Sequence, residues 1–133
     1  MKTVAVDTNV LLAFQKERAL GFNEIKQLFK DCLDGKLQIF IPQIVFPELE
    51  WVLRSFYKDS KEKIVEFFEE LLDMEGVIVK DKTEIKQALV IFKQTNIKFA
   101  DAIIFIQVQG FQPSEFLTFD EDLKKLYQKS LKN

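Results

Sequence analysis

The chain has 133 residues, is 47% hydrophobic and carries a formal net charge of −2. These values predict one globular domain over residues 1–133, and they exclude both intrinsic disorder and a general electrostatic attraction to polyanions. The chain contains no histidine, which excludes histidine-ligated zinc and histidine-based catalysis. Any hydrolytic chemistry must therefore rest on carboxylates, lysine, tyrosine, hydroxyl groups or a metal ion held by oxygen.

The first half of the chain predicts two strands and four helices. Thr3 to Val6 is a short apolar run that is typical of a strand buried on both faces. The single cysteine, Cys32, falls in a helical stretch among apolar residues, which predicts a buried thiol. In chain order, the pattern predicts a strand over 3–6, a helix opening at 10, a helix over 25–33, a strand over 37–41 and helices over 43–57 and 61–73.

The second half predicts two more strands among three helices. They are a strand over 77–79, a helix over 81–94, a helix over 100–109 that Gly110 stops, a strand over 116–118 and a final helix that Asp120 caps. Strands that alternate with helical crossovers are typical of a parallel sheet with helices on both faces. The sequence therefore predicts an α/β protein.

Glu48 breaks the apolar pattern of its predicted helix. The residues three and four positions away on either side are all apolar, namely Ile44, Val45, Trp51 and Val52. This spacing predicts that Glu48 lies in a buried stripe, where a carboxylate needs a cation or a proton. Glu50, by contrast, is predicted to face solvent and to pair with Arg54 one turn further on.

Three aspartates stand where predicted elements begin or end. Asp7 follows the first strand, Asp120 follows the last, and Asp101 lies between two alanines at the start of an apolar helix. Helix capping is an alternative role for Asp7 and Asp120. For Asp101 the alternatives are the helix dipole or an ion pair with Lys98.

These acids are predicted to meet at one edge of the sheet, because parallel strands end together and helices begin there. Carboxylates crowded in one place repel one another and raise each other's pKa values unless a divalent cation neutralises them. Oxygen ligands without histidine or cysteine favour Mg²⁺ or Mn²⁺. Such an ion can activate water for attack on a phosphodiester. The four acids are Asp7, Glu48, Asp101 and Asp120.

Four sequence blocks in this order resemble the PIN-domain family of ribonucleases, particularly the VapC-like toxins of toxin–antitoxin systems. The blocks are 4–12, 41–50, 100–102 and 118–120. The resemblance implies a three-layer α/β/α PIN-like fold with a central, mainly parallel sheet of four or five strands. It also implies a ribonuclease in which Asp7, Glu48, Asp101 and Asp120 hold Mg²⁺ or Mn²⁺. Asn9 and Thr118 match supporting polar positions, and Asp122 is an alternative fourth acid.

The same resemblance implies three partners: an RNA substrate, a cognate antitoxin protein and a second copy of the chain. Trp51, Phe56, Phe67 and Phe68 are interpreted either as core or as such a protein-binding surface. Lys16 and Arg18 are interpreted either as phosphate contacts or as solubilising charges. Asp7 interrupts the apolar start of the chain, and no stretch has the length of a membrane span, so a cytoplasmic location is predicted.

Three other functions compete with RNA cleavage. A phosphatase of the haloacid-dehalogenase type needs a second aspartate where Asn9 stands, and a phospho-receiver domain needs a second acid beside Asp7. A PIN-like module that binds RNA or protein with weak or absent catalysis keeps the fold without the chemistry. The sequence leaves open the RNA target, the number of metal ions and the oligomeric state.

Overall fold

The computed structural model describes residues 1–17 and 21–132, within which seven helices and three strands are found. The chain divides into two compact units, Met1–Lys82 and Thr83–Asn133. The strands are β1 (Lys2–Ala5), β2 (Leu37–Phe40) and β3 (Val77–Ile78). The helices are α1 (Thr8–Gln15), α2 (Phe22–Leu33), α3 (Val45–Ser55), α4 (Lys61–Asp73), α5 (Lys82–Gln94), α6 (Phe99–Phe111) and α7 (Glu121–Leu131). None of these described helices is long and apolar enough to span a bilayer.

The three strands form one parallel sheet in the order β1-β2-β3. Val4 pairs with Ile39, and Ile39 pairs in turn with Val77. The strands therefore end at a common edge, and Asp7 follows there directly after Val6, whose N–H donates to the carbonyl of Phe40 at 3.0 Å. This sheet confirms the predicted α/β class.

The core of the first unit surrounds the central strand β2. Its largest side chains come from the sheet and four helices, and each is almost fully buried: Leu11, Phe29, Ile39, Phe46 and Phe68. The rings of Phe46 and Phe68 meet edge to face at 5.3 Å and tie α3 to α4. Burial of one such side chain stabilises the fold by about 1.5–3 kcal/mol. Strand β1 differs from the prediction, since three of its four residues are exposed rather than buried on both faces.

In the second unit the predicted strand over 116–118 is wrong, and the described residues contain three strands instead of four or five. Residues 116–118 form an irregular segment in which Leu117 is 83% exposed. Phe116 packs its ring edge to face on Tyr127 at 5.2 Å, which holds this segment on α7 by side-chain contact. Gly110 does not stop α6, which continues to Phe111 and ends at Gln112 with a left-handed φ of 55°.

Pro47 is accommodated because α3 begins at Val45, two residues after the predicted start. Proline then occupies the third helical position. Backbone N–H groups in the first turn have no partner within the helix, so proline breaks no hydrogen bond there. The unusual proline next to Glu48 therefore leaves α3 regular up to Ser55.

Cys32 is buried in α2, as predicted, and packs against Gly76, the residue before β3. A Cβ atom placed on Gly76 would lie 2.6 Å from the Cys32 sulfur. Only glycine therefore allows this close approach of β3 to α2 without a shift of backbone or thiol. Burial raises the pKa of the Cys32 thiol, although a backbone N–H of Ile39 and the charge of Lys82 oppose this effect.

We expect Cys32 in the folded protein to react with a thiol reagent at neutral pH roughly 10-fold or more slowly than in the unfolded chain. Burial blocks the reagent, and the raised pKa of the thiol lowers the thiolate fraction. Stopped-flow labelling with and without guanidinium measures both rates. Labelling of the native protein at the rate of a free thiol would contradict this description of the α2–β3 contact.

Candidate active site

Asp7 caps helix α1 at the carboxyl edge of the sheet. Its backbone is extended, and its Oδ1 accepts the N–H of Val10 at 3.2 Å. The cap explains why α1 begins at Thr8 rather than at Val10. The capping role that the sequence left open for Asp7 is therefore present, on a carboxylate that remains exposed to solvent.

Glu48 is held near Asp7 by Thr8. The Thr8 hydroxyl donates to Glu48 Oε1 at 3.0 Å, across a separation of 40 positions in the chain. This bond links the first turn of α1 to the first turn of α3 and brings the first two predicted acids to one place. Thr8 was not singled out from the sequence, and the one local signal for its role is its position beside Asp7.

The predicted environments of Glu48 and Glu50 were wrong and must be exchanged. Glu48 is exposed, whereas Glu50 is 1% exposed and pairs with Arg54, whose Nε lies 2.6 Å from Oε2. The cause is that α3 is apolar on two sides. One side packs inward, and the side that carries Glu48 faces solvent, with Ile44 64% and Trp51 59% exposed.

A groove of about 490 Å³ lies along this outer side of α3. Thr8, Asn9 and Leu12 of α1 form one part of its lining. Ile44, Pro47, Glu48, Trp51 and Val52, at and after the start of α3, form the rest. We call it the Trp51 groove. Its lining combines a candidate catalytic acid with a large exposed aromatic ring.

Lys16 is engaged with a carboxylate instead of being available to a phosphate. Its Nζ lies 2.6 Å from Asp59 Oδ2, and both side chains are largely buried. The ammonium also lies 4.6 Å from the centre of the Tyr57 ring, a favourable cation–π distance. Arg18, the other basic residue considered for a phosphate contact, lies outside the described residues.

In the second unit, Asp101 and Asp120 are close enough for their charges to interact. Asp101 is the third residue of α6 and is half-buried. Burial is the main reason that its pKa is raised, and the negative charge of Asp120 raises it further, against a smaller opposing effect of Lys98. The Asp101 carboxylate therefore stands in an environment that disfavours its own negative charge.

Asp120 is fixed by two local hydrogen bonds. Its Oδ1 accepts the N–H of Leu123 at 2.9 Å, which caps α7 as predicted. The hydroxyl of Thr118 accepts the N–H of Asp120 at 3.1 Å, so Thr118 supports the acid through its backbone. Asp122, the alternative fourth acid, lies in the exposed first turn of α7.

A comparison with known protein families tests the family resemblance that the four sequence blocks indicate. The model of the PIN domain family matches residues 4–129, a span that contains all four predicted acids. The chain belongs to the PIN domain family. It is also 28% identical over 121 residues to a protein named VapC ribonuclease from Aquifex aeolicus (strain VF5), covering 91% of this chain and 90% of that protein.

Membership of the PIN domain family confirms the predicted fold class and removes the phosphatase and receiver alternatives. Among the described residues, no group of three or more acidic or cysteine side chains is close enough to form a ready-made metal site. The four candidate acids fall into two pairs, Asp7 with Glu48 in the first unit and Asp101 with Asp120 in the second. Each pair offers only carboxylate oxygens, and the raised pKa of Asp101 marks negative charge without full compensation. This donor chemistry fits a hard divalent cation.

Proposed function

We propose that this PIN domain is a metal-dependent ribonuclease that hydrolyses RNA phosphodiester bonds. The observation that carries the proposal is the match to the PIN domain family over residues 4–129, a span that contains the acids we assign to the site. The half-buried Asp101, whose pKa is raised by burial and by the charge of Asp120, supports it. Perturbed acids of this kind occur at functional sites more often than elsewhere. The VapC ribonuclease that resembles the chain over 91% of its length supports the same activity.

We propose Asp7, Glu48, Asp101 and Asp120 as the residues that hold Mg²⁺ or Mn²⁺. When bound, such an ion neutralises these carboxylates, attracts the phosphodiester and lowers the pKa of a coordinated water. The chain itself orients the acids. Thr8 donates a hydrogen bond to Glu48, and Thr118 together with the α7 cap fixes Asp120. Asn9, in the lining of the Trp51 groove, is the further polar residue that we assign to substrate or metal support.

We further propose that the protein is the toxin of a toxin–antitoxin pair, acts in the cytoplasm and forms a homodimer. The name of the Aquifex relative supports the toxin role. Phe56, which is 73% exposed just after α3 and lies outside the lining of the Trp51 groove, supplies apolar surface for a protein partner. Phe67 and Phe68, which were considered for the same surface, are instead buried in the core. A single domain over residues 1–133 stays a prediction.

The exposed apolar side of α3 favours one alternative function, namely a PIN-like module that binds RNA or protein without useful catalysis. Trp51 on α3 and Ile44 just before it are both more than half exposed, and exposed apolar surface of this kind is typical of an interaction site. Tight partner binding by a protein that cleaves no RNA would favour this alternative.

The test is cleavage of RNA by the purified protein in Mn²⁺ or Mg²⁺. Asp7→Asn and Asp120→Asn are informative variants because asparagine caps helices about as well as aspartate, so they remove charge while keeping the caps of α1 and α7. Loss of a residue that only supports a metal ligand lowers metal affinity or activity roughly 10–100-fold. Because we assign Asp7 and Asp120 as ligands themselves, we expect each variant to lower the cleavage rate by about 100-fold or more.

Asp122→Asn is the matched control, because it removes an exposed acid of the same helix. If Asp122 rather than Asp120 is the fourth acid, the two variants exchange their effects. Cleavage that continues in excess chelator, or in both Asp7→Asn and Asp120→Asn, would refute the metal-dependent mechanism.

A further inference from the structure

Trp51 is the only tryptophan in the chain, and its side chain is 59% exposed in the groove that Glu48 also lines. We propose that the Trp51 groove binds an unpaired base of the RNA, stacked on the indole ring. This inference rests on the proposed ribonuclease function and adds a base subsite to it. It predicts that the substrate is single-stranded at this position.

The walls of the groove suit a flat, largely apolar ligand. Leu12, Ile44, Pro47 and Val52 line the groove together with the indole, and the volume of about 490 Å³ lies in the range of about 300–1,000 Å³ that small-molecule sites occupy. Aromatic side chains bind single-stranded nucleic acid by stacking on successive bases, because every base has a π-face. Thr8 and Asn9 add a hydroxyl and an amide that can bond to polar edges of a base.

The charge of the lining selects the base rather than the phosphate as the occupant. Glu48 is the charged residue among those that line the groove, and none of the lining residues is lysine or arginine. Beyond the metal ion that we assign to Glu48, the groove therefore offers no positive charge to a phosphate, whereas a neutral base needs none.

The groove is continuous with the first pair of candidate acids. Glu48 lines it and at the same time accepts the hydrogen bond of Thr8, the neighbour of Asp7. A nucleotide with its base on Trp51 therefore has its own backbone beside these two acids. A base within a duplex has both faces covered by its neighbours, so only an unpaired or extruded base can stack on the indole.

The lone tryptophan provides a direct experiment. Asp101→Asn protein, which we expect to bind RNA without cutting it, is titrated with an unstructured oligouridylate, with a duplex of equal length and with an abasic ribose-phosphate oligomer. We expect saturable quenching of the indole fluorescence by the first and much weaker quenching by the other two. Equal quenching by all three would overturn stacking of a base.

Affinity measurements with matched variants test the same contact independently. Stacking contributes about 5- to 150-fold in affinity per base, so Trp51→Ala should weaken binding of labelled oligouridylate within that range. Trp51→Phe should retain most of the affinity. Phe111→Ala is the control, because Phe111 is 82% exposed at the end of α6 and does not line the groove, so the affinity should not change.

Cleavage kinetics separate failure of this inference from failure of the proposed function. In otherwise wild-type protein, Trp51→Ala should raise KM with little change in kcat, because stacking acts on bound substrate and transition state alike. Unchanged KM with active enzyme overturns the base subsite and leaves the ribonuclease intact. If an apolar protein helix shields the Trp51 indole from solvent and RNA does not displace that helix, the base subsite is also overturned. The groove then belongs to a protein partner.

Discussion

Asp101→Asn is expected to lower the rate of RNA cleavage by about 100-fold or more and to raise the melting temperature at pH 7. Both effects have one cause. The Asp101 carboxylate is half-buried beside the negative charge of Asp120, so the folded state disfavours its ionised form. An asparagine of nearly equal shape removes this unfavourable charge and also removes the oxygen donor that we assign to the metal.

The gain in stability should depend on pH in a defined direction. Because the pKa of Asp101 is raised on folding, the native state binds more protons than the unfolded state in the window between the ordinary aspartate pKa of 3.8 and the raised pKa of the folded protein. The stability of the wild type therefore falls relative to that of Asp101→Asn as the pH rises through that window. Below the window, the two proteins should have nearly equal stability. Thermal melts between pH 3 and pH 8 measure the difference.

Asp122→Asn serves as the control for this pH profile, because it neutralises an exposed acid of α7. We expect its melting temperature to follow that of the wild type at every pH. If Asp101→Asn instead changes stability by the same amount at pH 3 and at pH 7, its effect comes from packing. The electrostatic description of the Asp101–Asp120 pair would then be wrong.

Arg54→Ala is expected to lower the free energy of unfolding by about 2–3 kcal/mol, the largest stability effect we predict for a substitution outside the candidate site. The Glu50 side chain is 2% exposed, and its Oε2 lies 2.6 Å from Arg54 Nε. Removal of the guanidinium leaves the buried carboxylate without this cation. Urea denaturation at neutral pH measures the loss.

Two further variants test whether the buried charge is the cause. Lys63→Ala removes a cation that is 55% exposed and lies 3.7 Å from Asp59, while Asp59 keeps its closer partner Lys16. We therefore expect a loss of about 0–1 kcal/mol, as for pairs with a solvated partner. The double variant Glu50→Leu with Arg54→Leu removes both charges and should recover most of the loss. If the double variant is as unstable as Arg54→Ala, the lost packing of the arginine stem explains the result instead.

Most helices could be predicted from sequence because their caps and apolar spacing agree. Helix α4 has the predicted bounds, since Ser60 caps it by accepting the N–H of Lys63 at 3.2 Å. Its apolar residues all face the core, namely Ile64, Val65, Phe67, Phe68, Leu71 and Leu72. Where a single residue caps the start of a helix and a single apolar face packs on the core, local sequence is sufficient to predict the helix.

Helix α3 shows where this reasoning fails. Both of its long sides are apolar, so periodicity alone does not say which one packs inward. The Glu50–Arg54 spacing is typical of a surface ion pair, yet that pair lies on the buried side. The choice between the sides is made by tertiary contacts such as Phe46 on Phe68, and no local pattern encodes these.

The predicted strand over 116–118 fails for a related reason. An apolar run becomes a strand only when a neighbouring strand satisfies its backbone, and this requirement is set by distant parts of the chain. In the candidate site, Asp7 and Asp120 could be recognised because each follows an apolar run. The Thr8–Glu48 bond spans 40 positions and could not.

The caps made by Asp7 and Asp120 have a consequence for how this protein can evolve. Each aspartate starts a helix by accepting a backbone N–H, in addition to any part in chemistry. Mutation to alanine would remove a cap, at a cost of about 1 kcal/mol, whereas mutation to asparagine or serine would preserve it. A lineage that abandons the activity is therefore expected to drift to asparagine or serine at these two positions, leaving an inactive descendant whose helices still begin where they do now.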